Sequence, residues 1–118
     1  AGSEQAGVEF ARPDLFSGAT WAITPTNDSH EHAVQRVQSL AQSVGAKTVQ
    51  LSPEEHDQTV AVTSHLPHVL AYALSAVGNK VSKTHPHLFD LAAGSWASGT
   101  RVAHSSPELW GQIALSNR

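Results

Sequence analysis

The sequence predicts a mainly α fold with a small strand-helix-strand piece near its start, organised around one long kinked helix over residues 53–77. Three observations carry that prediction. Ser52-Pro53-Glu54-Glu55 combines a serine cap, a proline at the first helical position and a glutamate at the third. Apolar residues then continue at helical spacing through Val62, Leu66, Val69, Leu70, Ala73, Leu74 and Val77. Two short β-prone runs, residues 20–24 and 48–51, flank a segment with helical periodicity.

The elements follow in order. Residues 1–18 read as loop with one helical turn at Glu9-Phe10-Ala11-Arg12, which Pro13 interrupts. Residues 20–24 form a strand that Pro25 stops. Asp28 is placed to cap a helix in which Glu31 is an acid near the positive end. Val34, Val37, Leu40, Ala41 and Val44 recur along that helix, and Gly45 ends it. Residues 48–51 are the second strand, completing a βαβ-like unit whose two strands are too few for an independent sheet.

The long helix is expected to stop at Gly78-Asn79, with Pro67 removing the bond to the Thr63 carbonyl and kinking it. Residues 81–87 read as a polar connector, 88–93 as compatible with helix, and 94–99 as a loop. Pro107 opens a last helix through Leu109, Trp110, Ile113 and Leu115.

Composition narrows the function classes. With 118 residues, 40% hydrophobic and 14% charged, the chain fits a globular protein with a modest core. A net charge of -3 leaves no basic footprint, so no nucleic-acid partner is expected. No apolar run approaches the length of a bilayer span, so no membrane partner is expected either. Absence of cysteine rules out disulfides and thiol chemistry and fits a cytoplasmic location. Methionine is also absent, so the chain reads as processed at its start or as a piece of something longer. No G-x-G occurs, hence no dinucleotide fingerprint.

The polar positions of the long helix carry the chemistry. At about 100° per residue, Asp57, Ala61, Ser64, His65, His68 and Tyr72 share one arc, while Val62, Leu66, Val69, Leu70, Ala73, Leu74 and Val77 fill much of the opposite side. Spacings of three and four residues bring Ser64, His65 and His68 within reach of one another. One reading is a solvated face. A second is a metal site using His65 and His68 with His85, His87 or Asp57, although no HExxH or cysteine pair is present. A third is an anion site completed by Arg101, whose guanidinium can hold a carboxylate through two bonds.

Several segments together resemble one family. Residues 1–7 are similar to the end of a His-Pro-x-Ala-Gly-x-Glu-x-x-Gly motif, and Asp14-Leu15-Phe16 through Trp21 and Pro25 resemble the segment that follows it. Glu55-His56-Asp57 and Ser64-His65-Leu66-Pro67-His68 resemble a Glu-x-His-Asp…Ser-His-Leu-Pro-His signature. Thr100-Arg101-Val102-Ala103, Ser106-Pro107, Trp110 and Asn117 resemble a Thr-Arg-Ile-Ala…Asp-Pro…Trp…Asn run. Order and spacing identify the chain as similar to the prephenate dehydrogenase family, which includes arogenate and cyclohexadienyl dehydrogenases of tyrosine biosynthesis.

The resemblance implies oxidative decarboxylation of prephenate or arogenate, with NAD or NADP as cofactor and a homodimer as the assembly. It implies residues 1–51 as the C-terminal part of a Rossmann-like nucleotide-binding domain, and 52–118 as the first part of a helical dimerisation and substrate domain. By resemblance Arg101 binds a substrate carboxylate and His68 approaches the substrate. His65, Gly94 and Trp110 line the same pocket, and Glu4 sits near its entrance. The family's nucleotide fingerprint and catalytic histidine correspond to positions before Ala1, so this chain by itself is expected to be inactive and to bind no cofactor. One segment departs from the pattern. Ser95-Trp96-Ala97-Ser98 stands where the family has Gly-Phe-Arg/Lys-Asp. Two other functions remain open: a non-catalytic dimerisation or ligand-binding module, and a histidine-based metal-binding protein.

Overall fold

The computed structural model describes residues 7–117. The chain divides into two compact units, Ala1–Gln58 and Thr59–Arg118. The fold is mainly helical with a single two-stranded sheet, as the sequence predicts.

In the first unit, β1 (Thr20–Ile23) and β2 (Lys47–Gln50) pair in parallel, in register from Thr20 with Lys47 to Ile23 with Gln50. Parallel strands need a crossover, and α1 (Glu31–Ser43) supplies it. Gly45 turns the chain from α1 into β2 at φ +79°, a conformation that costs glycine little. Its carbonyl accepts from the Gly18 N–H at 2.8 Å, which ties the approach to β1 to the approach to β2. The Phe16 and Trp21 rings meet at 5.4 Å, and Ala41 of α1 and Ala46 just after it are buried. A short 3₁₀ turn, Val8–Phe10, stands near the expected one.

Asp28 is not the cap of α1. The Ser29 N–H donates to the Thr26 carbonyl, and the Thr26 N–H donates to Ser29 Oγ, both at 3.0 Å. That turn absorbs Asp28, and the helix starts after His30, which makes no side-chain cap bond.

The long helix begins as predicted. Ser52 Oγ accepts from the Glu55 N–H at 3.1 Å, and Pro53 is the first residue of α2 (Pro53–Val60). A π-helical turn, Ala61–His65, follows and leads into α3 (Leu66–Ser82). The π turn lies immediately ahead of Pro67, where the missing N–H would have to be accommodated, and such bulges re-satisfy a broken ladder.

Two expectations about boundaries are corrected here. The helix does not end at Gly78-Asn79 but runs on to Ser82, with Gly78 buried inside it. Residues 94–99 are not a loop but α4 (Gly94–Thr100). The cause is shared: Trp96 of α4 packs against the bare backbone at Gly78. A 3₁₀ turn, Phe89–Leu91, precedes α4, another, Arg101–His104, follows it, and α5 (Pro107–Ser116) closes the unit.

The burial pattern of α3 reverses the usual sense. Val62, Leu66, Val69, Leu70 and Val77 are all exposed, Leu70 by 59% and Val77 by 58%. The side carrying the histidines is the covered one. The continuous helix Pro53–Ser82 is also long and apolar enough to cross a membrane by length and composition, with a mean hydropathy of 1.3 over an 18-residue window. The expectation that no such run exists is corrected. Thr, Ser, His and Pro interrupt the run and lower its average, but its Val, Leu and Ala residues keep the mean positive.

Candidate functional site

The site is built in the second unit by two helix starts. His65 closes the π turn and His68 is the third residue of α3, so the pair projects to one side. At the other helix, Ser106 is the N-cap of α5. Its Oγ accepts from the Leu109 N–H at 3.3 Å, its hydroxyl donates to Glu108 Oε2 at 2.8 Å, and Pro107 begins the helix. This start fixes Trp110 one turn into α5.

Trp110 stacks on His68 with ring centroids 3.5 Å apart and planes at 19°. His65 meets the same indole edge-on, at 5.8 Å and 74°. A cleft of about 240 Å³ opens there, lined by His65, His68, Val69, Tyr72, Pro107, Trp110, Gly111 and Ala114.

The two imidazoles have opposite hydrogen-bond polarity. The Ser64 carbonyl can only accept, so the His68 contact at 2.9 Å puts the proton on Nδ1. Nε2 of the neutral ring is then an acceptor. The Asn117 side-chain amide donates to His65 Nδ1 at 3.2 Å, so Nε2 of that neutral ring carries the proton. The two rings thus differ in tautomer, while the exposed lining of the cleft is almost wholly apolar beside its aromatic wall. Electrostatics at its rim follow from the α5 cap. The Glu108 backbone N–H, then the Ser106 hydroxyl, hold the Glu108 carboxyl below its ordinary value. In the first unit, the Arg12 guanidinium grips Asp14 at 2.9 and 3.1 Å and lowers its carboxyl likewise.

The structure brings together His65, His68 and Trp110 of the residues picked from the sequence. Arg101 is exposed at the start of the 3₁₀ turn after α4, and Gly94 is the first residue of α4; neither lines the cleft. Glu4 lies outside the described residues. Two contributors carried weaker signals. Tyr72, four residues after His68 on the same stripe, walls the cleft and donates from its hydroxyl to the Ser105 carbonyl at 2.6 Å. Asn117, quoted above only as part of a similar run, orients His65.

Among the described residues no three of His, Cys, Asp and Glu gather as metal ligands. The metal alternative has no donor set to stand on. A dinucleotide needs backbone N–H groups at a glycine-rich strand-to-helix turn. The β1–α1 connection, residues 24–30, carries Pro25 and no glycine. These residues do not form a pyrophosphate cradle.

Two family models match the chain, and they meet at residue 51 rather than at the structural boundary after Gln58. Residues 1–50 match the family "Prephenate dehydrogenase, nucleotide-binding domain" and residues 52–118 match "Prephenate dehydrogenase, dimerization domain". Prephenate dehydrogenase of Bacillus subtilis strain 168 is 36% identical over 118 residues, 100% of this chain and 32% of that protein. Cyclohexadienyl dehydrogenase of Zymomonas mobilis is 35% identical, over 99% of this chain and 40% of that protein. Prephenate dehydrogenase from A. aeolicus, solved in complex with hydroxyphenyl propionate and NAD+, superposes with a TM-score of 0.88 at 34% identity, covering 98% of this chain and 41% of that one. Synechocystis arogenate dehydrogenase gives 0.77 at 29% identity, over 98% of this chain and 42% of that one.

The matched family models give a region of the nucleotide-binding domain followed by a region of the dimerization domain. The chain belongs to the prephenate dehydrogenase family. It spans about a third to two fifths of the length of the curated relatives named above.

Proposed function

We propose that this chain supplies the substrate-facing helical part of a dehydrogenase that oxidatively decarboxylates prephenate or arogenate in tyrosine biosynthesis. The observation that carries the reading is the cleft where His68 stacks on Trp110 beside His65. The apolar, aromatic-walled cleft suits a six-membered ring. Arg101 contributes a guanidinium for two-bond capture of a substrate carboxylate, as the family resemblance implies. The part of the helical residues in such a reaction is to bind and orient the substrate. A second copy of the chain covers the exposed apolar side of α3, in keeping with the dimerization family it matches.

Titration calorimetry of the chain with prephenate and with arogenate tests the reading. Binding of one of them is expected, weakened by at least roughly tenfold in Arg101→Ala, the loss of a charge-assisted pair. His68→Ala is expected to weaken it as well. Absence of binding to either ligand, or binding indifferent to both substitutions, sinks this proposal and favours a module that kept only the fold.

A further inference from the structure

Gly78 lies in the middle of α3, where glycine is among the poorest helix formers. Its place is explained by what covers it. A Cβ built there would overlap Trp96 Cη2 and come within 2.7 Å of Cζ2, so the far edge of the indole rests directly on the α3 backbone. Phe89 meets the indole edge-on from another side, at 5.7 Å. One turn further along α4, a Cβ on Gly99 would approach Leu74 Cδ2 to 3.2 Å. Helices α3 and α4 thus touch closely at two levels: Gly78 with Trp96, and Leu74 with Gly99.

The turn that carries Arg101 begins where α4 ends. The Thr100 hydroxyl donates to the Trp96 carbonyl at 2.8 Å, binding the last residue of α4 to the one that is seated. At the far end of the turn, the Tyr72 hydroxyl donates to the Ser105 carbonyl at 2.6 Å. Tyr72 also walls the cleft beside His68 and Trp110. The four residues Arg101–His104 are therefore held at both ends by α3, the helix that carries the histidines.

We propose that the Gly78–Trp96 seat and the Tyr72–Ser105 bond are positioning elements that set the backbone of the Arg101 turn relative to the histidine cleft. The proposal rests on the reading of Arg101 as the carboxylate anchor. A long guanidinium side chain loses less freedom on binding if its backbone is already in place. The seat is matched in size, because the atoms that exclude a Cβ at Gly78 are the outermost carbons of the indole. A phenyl ring at position 96 lacks them. The bare backbone at Gly78 thus makes room for the larger ring of Trp96 in this chain.

The test uses the full chain and two readouts: amide hydrogen exchange over residues 97–106 and calorimetric affinity for prephenate. Gly78→Ala is expected to speed exchange across that stretch and to weaken prephenate roughly 10–100-fold, the scale of an ångström-level misplacement. Adding Trp96→Phe to Gly78→Ala is expected to return most of both, which mere loss of packing would not do. Tyr72→Phe is expected to speed exchange at residues 101–106 whether or not the glycine variant folds. The proposal is overturned if Gly78→Ala folds with unchanged exchange, if the double variant shows no recovery, or if Tyr72→Phe leaves the turn as protected as before. Should the unaltered chain bind no prephenate, the functional reading falls, and the exchange measurements still decide whether these contacts set the turn.

Discussion

Trp110 is contacted on its face by His68 and at its edge by His65, so the indole orients both imidazoles. What orients Trp110 is the start of α5. Ser106 satisfies one free N–H of the first turn and also donates to Glu108, an acid near the positive end of the helix. The sign of the pH dependence follows. The folded-state value of Glu108 lies below its unfolded one, so its contribution is fully present above the ordinary carboxylate value of 4.5 and is lost as pH falls through the lower folded value. Glu108→Gln is therefore expected to flatten the acid limb of the stability profile as pH falls below the ordinary carboxylate value of 4.5. Ser106→Ala is expected to cost about 1 kcal/mol near neutral pH, the usual worth of such a cap. Denaturant melts followed at the tryptophans across pH check both. An unchanged acid limb in Glu108→Gln would show that the α5 start carries no titratable support.

Helix boundaries show which parts of this molecule were legible in the sequence. The Ser52-Pro53 start and the Pro107 start were readable because start signals are local; the Ser52 cap forms its expected bond, and Ser106 makes an equivalent one ahead of Pro107. Gly78-Asn79 has the composition of a helix stop and Gly94 through Gly99 that of a loop, yet both are helical. Their state is decided by a contact between residues 18 apart in sequence, Trp96 on Gly78, and no window of local propensity contains it. The histidine cleft was half legible for the same reason. The spacing of His65 and His68 is local, whereas the Trp110 stack and the Asn117 bond are set by how α5 folds back. Pro67 gives the element-scale prediction. Its missing N–H is accommodated beside the π turn Ala61–His65. Pro67→Ala restores a donor and lets that turn close to ordinary α geometry, which shifts the residues ahead of it around the helix axis. Stability is expected to hold or rise while prephenate affinity and the His68–Trp110 stack are lost. Parallel thermal melts, ligand titrations and tryptophan fluorescence would register the split, and retention of both the stack and the affinity would count against a role for the π turn in aiming His65 and His68.

Across the whole chain, the apolar residues buried among those described are small, Ala41, Ala46 and Ala71, while Val62, Leu70 and Val77 stand more than half exposed. The surface area makes the same point. The chain exposes 9050 Å². Two separate compact bodies of half its 12.5 kDa mass would together expose about 7,400 Å². The excess is roughly twice the area, about 800 Å², that a standard protein–protein interface removes from each partner. The side of α3 opposite the histidines is continuous and apolar through Leu66, Leu70 and Val77, which matches what a dimerization family requires of it. A closed two-fold pairing buries the same patch on both copies, so one substitution acts twice. Leu70 and Val77 line neither the histidine cleft nor the groove beside Trp96, so changing them separates association from ligand binding. The chain is expected to sediment as a dimer at micromolar concentration. Leu70→Glu with Val77→Glu is expected to give a monomer that keeps its helical circular dichroism, because both side chains are already solvent-facing in the single chain. A monomeric mass for the unaltered chain, or an unchanged dimer in the double variant, would move the interface away from this face.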